Sequence, residues 1–259
     1  MLHLFKRIRR KLLVEKRLSN YIFYAIGEVL LVVIGILLAI QFSNLNLKKT
    51  EIEKEIWYLD NIANDMFNQK DGLLNLKDYY TETLGIAKDL LLDFKENMSY
   101  SKIDSLSFKL NQLMGSDTYP NIDNTYRELL SSGQVSLIEN DSLVLNIIDF
   151  YLFTDELENI YKVNQSQVFY GEVYSTLNKY SEIDISHFVE EENLLFEDKE
   201  AQKYILSELE KPDNRLALTN AIKTKILVIS DYLLNVNESL NLVDKMINEI
   251  DDEIELLKE

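Results

Sequence analysis

The chain has no cysteine, and among its 259 residues there are only two prolines, seven glycines, two histidines and one tryptophan. Without cysteine there is no disulfide, no thiol nucleophile, no thiolate metal site and no lipid-bearing cysteine, so any folded domain must be held by packing. Histidine is nearly as scarce: His3 sits in a basic leader and His187 stands alone. A serine nucleophile at Ser131 or Ser132 would have only His187 as a base, and His187 has no recognisable context. The expectation is therefore a non-enzymatic chain with no cofactor and no bound metal. So few helix breakers, Pro120 and Pro212 among them, argue for long helices. Past residue 17 the only arginines are Arg127 and Arg215, expected in structural ion pairs, the other use being to grip a carboxylate ligand.

What the chain does have is a long apolar run, Tyr21 to Phe42, YIFYAIGEVLLVVIGILLAIQF, with Glu28 as its one charge. As a helix those residues reach roughly 33 Å, enough to cross a hydrocarbon core of about 30 Å. Residues 21–42 are thus expected to be a transmembrane helix in contact with membrane lipid. Before it, Lys6, Arg7, Arg9, Arg10, Lys11, Lys16 and Arg17 face a single acid, Glu15. By the positive-inside rule the N-terminus stays in the cytoplasm and residues 43–259 are exported, which in a bacterium means the inner membrane and the periplasm. A cleaved signal peptide would have a shorter apolar core and a small-x-small cleavage site, and LLAIQFSNLN offers none, so the span reads as an uncleaved signal anchor. Residues 1–20 have two readings. Phe5, Ile8 and Leu12 share a helical face, as in an amphipathic segment lying on an anionic leaflet, or the basic charges only set topology.

Beyond the span the chain is acidic. The total of −17, less the +6 of residues 1–20 and the −1 of Glu28, leaves −22 for residues 43–259, which repels nucleic acid. From Asn44 to Phe94 apolar residues recur in steps of three and four, interrupted at Lys70, so the membrane helix is expected to continue outward as a stalk with one apolar stripe. A turn is expected over Glu96–Ser101, a short helix over Asp104–Met114, and an irregular connection through SDTYPNIDNT. A helix capped by Asn124 or Thr125 and ended by Gly133 follows, then a long helix opening at Asp141 with a bend near Gly171. The acidic stretch around Glu190, Glu191 and Glu192 lacks the alternating ligands and turn glycine of a calcium loop and reads as solvated loop. A helix from Lys199 to Glu210 is expected to end at Pro212, and the last helix to start at Asp213 or Asn214.

That last helix carries the clearest repeat: Ile226, Ile229, Leu233, Val236, Leu240, Val243, Ile247, Ile250, Ile254 and Leu257 alternate steps of three and four. The β-branched residues at 229, 236, 243 and 250 occupy the position where two-stranded parallel coils prefer leucine, so the seam suits a bundle of three or more helices. The stalk is its expected partner. The fold class is therefore all-α: a single N-terminal transmembrane helix continuing into an elongated exported bundle with long, antiparallel, coiled-coil-like helices.

The string YAIGEVLLVVIGILLAIQF with its basic leader, and the later TYRELLSSGQVSLIENDSLVLNIIDFY, together resemble a large bacterial family of single-pass membrane proteins catalogued as a domain of unknown function. The second string carries that pattern's turn at Tyr126, Leu129, Ser132, Gly133, Leu137 and Ile138. The resemblance implies the topology above and no known activity.

Glu28 is the sharpest candidate, because an ionisable group inside a span usually marks a partner or a proton path. Gly35 and Ala39 share its helix face and permit close helix approach, so the three read as an intramembrane interface, the other reading being a carboxyl that reaches toward the headgroups. Tyrosines 79, 80, 119, 126, 151, 161, 170 and 174 suit either a small-ligand pocket or core positions with hydroxyls reaching outward. The expected role is a membrane-anchored interaction or scaffold subunit, with a protein partner or a homo-oligomer formed through the membrane helix. The alternatives are an exported ligand-sensing domain and a stator-like accessory subunit that uses Glu28.

Overall fold

The computed structural model describes residues 18–186, 189 and 198–259. His187, Glu190, Glu191, Glu192, His3 and the basic leader before residue 18 lie outside the described residues. The described chain is all helix and connection, with no strand among these residues: α1 (Leu18–Asn97), α2 (Leu106–Gln112), α3 (Asn124–Ser131), α4 (Asp141–Val163), α5 (Tyr174–Lys179), α6 (Lys199–Leu209) and α7 (Pro212–Lys258). Two 3₁₀ turns, Tyr100–Lys102 and Val135–Leu137, and a π-helical stretch, Asn164–Val173, complete it. The chain divides into two compact units, Met1–Trp57 and Tyr58–Glu259.

In the first unit the described residues form one helix, exposed at every position from 28 to 51. Its most apolar 18-residue window has a mean hydropathy of 2.5 and none of it is buried by protein. This helix is long and apolar enough to span a membrane.

The second unit is a bundle of three long helical segments. Lys70 of α1 meets Asp244 of α7 at 2.6 Å, and Tyr80 meets Tyr232 with ring centroids 5.4 Å apart, so α7 runs antiparallel to α1. Asn146 donates to Glu249 at 2.9 Å and the Tyr161 ring lies 3.7 Å from that of Tyr232, so α7 is also antiparallel to α4. Lys70, which interrupts the apolar stripe in the sequence, thus marks a cross-helix ion pair. One end of the bundle is closed by α2, α5 and α6, whose Leu110, Leu177 and Leu209 are fully buried with Leu90, Leu218 and Ile222. Each such side chain contributes roughly 1.5–3 kcal/mol on burial.

Three boundaries differ from the sequence reading, each for a local reason. Pro212 is the first residue of α7, where its missing N–H costs nothing and its φ is already helical. Helix α3 begins at Asn124, and neither Asn124 nor Thr125 caps it with a side chain. Instead the Thr125 N–H donates to the Asp65 carboxylate of α1 at 2.9 Å, a cap supplied from another helix. The expected bend near Gly171 is a π-helical stretch. Tyr161 to Phe169 is eight residues, and Phe169, Val173 and Leu177 are all buried at steps of four. An α-helix drifts about 40° per such step, and the wider π turns absorb the drift and keep that row on the core.

Helix α7 presents the expected seam in part. Ile229, Val236, Val243, Ile247, Ile250 and Ile254 are buried as expected, but the buried row beside the β-branched positions 229, 236, 243 and 250 is Lys225, Tyr232, Ser239 and Met246. Ile226, Leu233, Leu240 and Leu257 are only half buried. The helix is rolled by one residue relative to its hydrophobic maximum because the three polar side chains have partners inside the bundle.

Candidate functional site

While the Tyr232 ring stacks on Tyr161, Lys225 and Ser239 find their partners on the irregular segment between α2 and α3, residues 113–123, which straps across the bundle. Its Gly115 carbonyl accepts from Lys225 Nζ at 2.6 Å, its Asp117 carbonyl accepts from the Tyr80 hydroxyl at 2.7 Å, and its Tyr119 hydroxyl donates to Ser239 Oγ at 2.8 Å. Asn121 Nδ2 then reaches Asp155 of α4 at 2.7 Å. The strap has no helix to satisfy its backbone, so side chains of α1 and α7 do so, which is why a polar row faces inward. A Cβ at position 115 would stand 2.3 Å from the Tyr79 hydroxyl oxygen, so any side chain there would displace the Tyr79 ring.

Four tyrosines fill the centre. Tyr161 and Tyr232 stack at 3.7 Å with planes 12° apart, Tyr80 tilts against Tyr232, and Tyr119 meets Tyr161 edge-on at 5.4 Å. The Tyr161 hydroxyl donates to the Tyr232 carbonyl at 3.1 Å. Burial pushes the phenols of Tyr80 and Tyr161 far above their ordinary value and that of Tyr232 up to about 12, so they are neutral donors and supply no base.

Lys225 is the exceptional group. It is 3 % exposed, its Nζ lies 4.0 Å from the centroid of the Phe169 ring, and burial pushes its ammonium down to about 7. Beside it is a cavity of about 10 Å³, room for one water molecule, bounded by Tyr80, Ser116, Phe169 and Tyr232. That volume admits no organic ligand. A wider crevice of about 380 Å³ is lined by polar groups (Ser101, Ser107, Ser181, Glu182) and apolar ones (Ile103, Leu106, Phe108, Ile205) in about equal share, and its hydroxyls are engaged: Ser107 Oγ donates to the Glu182 carbonyl, Ser181 to that of Leu177, and Ser101 to Glu210.

The turn at Tyr126, Leu129, Ser132, Gly133, Leu137 and Ile138 is brought together as a helix stop. Gly133, at φ 69°, donates to the Leu130 carbonyl at 3.1 Å and Gln134 to that of Leu129 at 3.1 Å, the paired bonds of a Schellman end. Ser132 Oγ donates to the Leu129 carbonyl, Leu129 and Ile138 are buried, Leu137 is half buried and closes a 3₁₀ turn, and Asn140 caps α4 by accepting from the Leu143 N–H. Tyr126 stacks on Tyr151 at 4.2 Å. Ser131 and Ser132 bond their own helix's carbonyls, as the capping reading of this turn requires. Arg127 pairs with Asp123 and lies 4.0 Å from Asp155, while Arg215 reaches the Met98 carbonyl at 3.4 Å.

Glu28, Gly35 and Ala39 belong to the first unit. At 100° per residue Gly35 and Ala39 fall about 20° to either side of Glu28 around the helix. All three are exposed, and a Cβ on Gly35 would meet nothing within 4 Å. Lys225, Tyr232 and Ser239 were not legible as site residues. Their one signal is a seven-residue spacing alongside the β-branched row, which hydropathy alone assigns to the solvent side.

A family model matches residues 28–201, that of a family of unknown function (DUF6090). No curated protein and no solved structure matches the chain.

Proposed function

We propose that this chain, which belongs to the family of unknown function DUF6090, is a membrane-anchored, non-enzymatic interaction subunit. In this reading residues 21–42 cross a bacterial inner membrane as a signal anchor, the basic leader stays in the cytoplasm, and the acidic helical unit is periplasmic. The observation that carries it is the apolar window of mean hydropathy 2.5 with no protein cover. Such a surface requires lipid or another helix around it. In the interior of the second unit the Lys225 amine, the Tyr80 hydroxyl and the Ser239 hydroxyl are engaged with the strap, which supports the non-enzymatic part. Glu28, Gly35 and Ala39 are the proposed contact face, where a buried carboxyl finds a donor on the partner helix.

The test is to extract the tagged full chain from native membranes in mild detergent and measure its mass in solution and what co-elutes. A stoichiometric second protein or a discrete homo-oligomer is expected, and Glu28→Leu should reduce either at least severalfold with helical content unchanged. A monomer with nothing co-eluting, or a yield that Glu28→Leu leaves unaltered, would contradict the reading.

A further inference from the structure

The amine of Lys225 is buried against one carbonyl and one aromatic face, with no ion pair to a carboxylate among the described residues. Of the groups bounding its cavity, only Tyr80 and Tyr232 titrate, and both stay neutral at physiological pH. The acids on the elements packed around it are exposed: Asp78 and Glu82 on α1, Asp117 on the strap, Glu172 on the π-helical stretch and Asp231 on α7. Asp117 Oδ1 is engaged with the Thr118 N–H at 2.8 Å. A neutral amine is satisfied here, by donating to Gly115 and resting on Phe169. An ammonium is not, because one carbonyl and a ring face replace little of the hydration it gives up. The way out is short, since Gly115, the residue it holds, is exposed.

We propose that Lys225 is a proton-responsive latch: its neutral amine fastens the strap at Gly115 to α7 and the π-helical stretch, and protonation withdraws it toward water and frees the strap. The depression of the Lys225 ammonium to about 7 sets the range in which the latch works. Release opens the cavity beside Tyr80 and Phe169 to solvent and loosens the two elements that close on it. Acidification of the surrounding compartment is thereby converted into a local change of this surface, with no ligand required.

The test is hydrogen exchange of the full chain in detergent micelles at pH 8.5 and 6.0, corrected for intrinsic rates. The readout is the protection of amides in residues 115–119 and 168–173, with buried α1 amides at residues 59–66 as reference. Wild type is expected to lose protection at least tenfold at the strap and the π-helical stretch on acidification, with a midpoint near 7, while the α1 amides hold. Lys225→Met should stay protected at both pH values, and Lys225→Arg should be unprotected at both. Protection in wild type that does not change with pH overturns the proposal, as does a Lys225→Met variant that loosens like wild type. If the methionine variant loses its helical signal, the other two proteins decide: an arginine variant as protected as wild type at pH 8.5 is equally fatal.

Discussion

Two stretches of one helix obey opposite rules. From residue 28 to 51 α1 is exposed on every side, although nearly every residue as far as Phe42 is apolar. From Tyr58 to Leu90 its apolar residues gather along one row, Leu59, Ile62, Met66, Leu73, Leu76, Tyr80, Ala87 and Leu90, which is buried, while Phe67 and Leu74 off that row are exposed. A stripe identifies a helix whose other side meets water, whereas uniform apolarity with no protein cover marks a helix long and apolar enough to span a membrane, whose solvent in the proposed reading is lipid. The same side chain therefore does different work on either side of Trp57.

The comparison breaks hardest at a charge. Ile62→Asp places a carboxylate at a fully buried position and should cost about 4 kcal/mol or more, unfolding the second unit in a thermal melt. Leu37→Asp, 59 % exposed in the first unit, should leave that melt unchanged and instead weaken membrane retention. Equal melting of the two variants would remove the distinction.

A finer contrast sits on α7. Tyr232→Ala should cost about 3–5 kcal/mol as a buried aromatic truncation, while Leu233→Ala, half buried, should cost roughly half as much. Denaturant titration checks this, and the reverse order would restore the seam that hydropathy suggests.

A further effect, spread over several pH units, is read from pH. Lys225 is held below its ordinary 10.5 in the folded chain, so between about 7 and 10.5 the unfolded chain binds more protons and stability rises with pH. The slope approaches roughly 1.4 kcal/mol per pH unit in mid-window and vanishes below about 7, where both states hold the proton. Above about 10 the raised phenols of Tyr80 and Tyr161 act in the opposite sense, since the folded chain then retains protons that the unfolded chain releases. Denaturation midpoints from pH 6 to 9.5 should rise for wild type and stay flat for Lys225→Met.

The parts legible in the sequence were those written in hydropathy and breakers. The apolar span, the helix stop at Gly133, the irregular strap around Pro120 and the pairing of the stalk with the last helix all follow from such signals. What hydropathy could not register is a polar interior. Lys225 and Ser239 read as surface residues until the strap is seen to supply Gly115 and Tyr119 as their partners, more than a hundred residues away in sequence. Asp65 capping α3 was hidden for the same reason, since a cap from another helix leaves no local motif. Pro212 reads as a helix stop from sequence and is the first residue of α7 in the structure, since proline suits both positions.

The most direct test of the two-environment account is alkaline carbonate extraction of membranes carrying the full chain, beside a chain shortened to residues 58–259. The account predicts that the full chain stays in the membrane pellet, while the shortened chain is soluble and keeps its helical circular dichroism. Release of the full chain by carbonate, or a shortened chain that aggregates without helical signal, would contradict it.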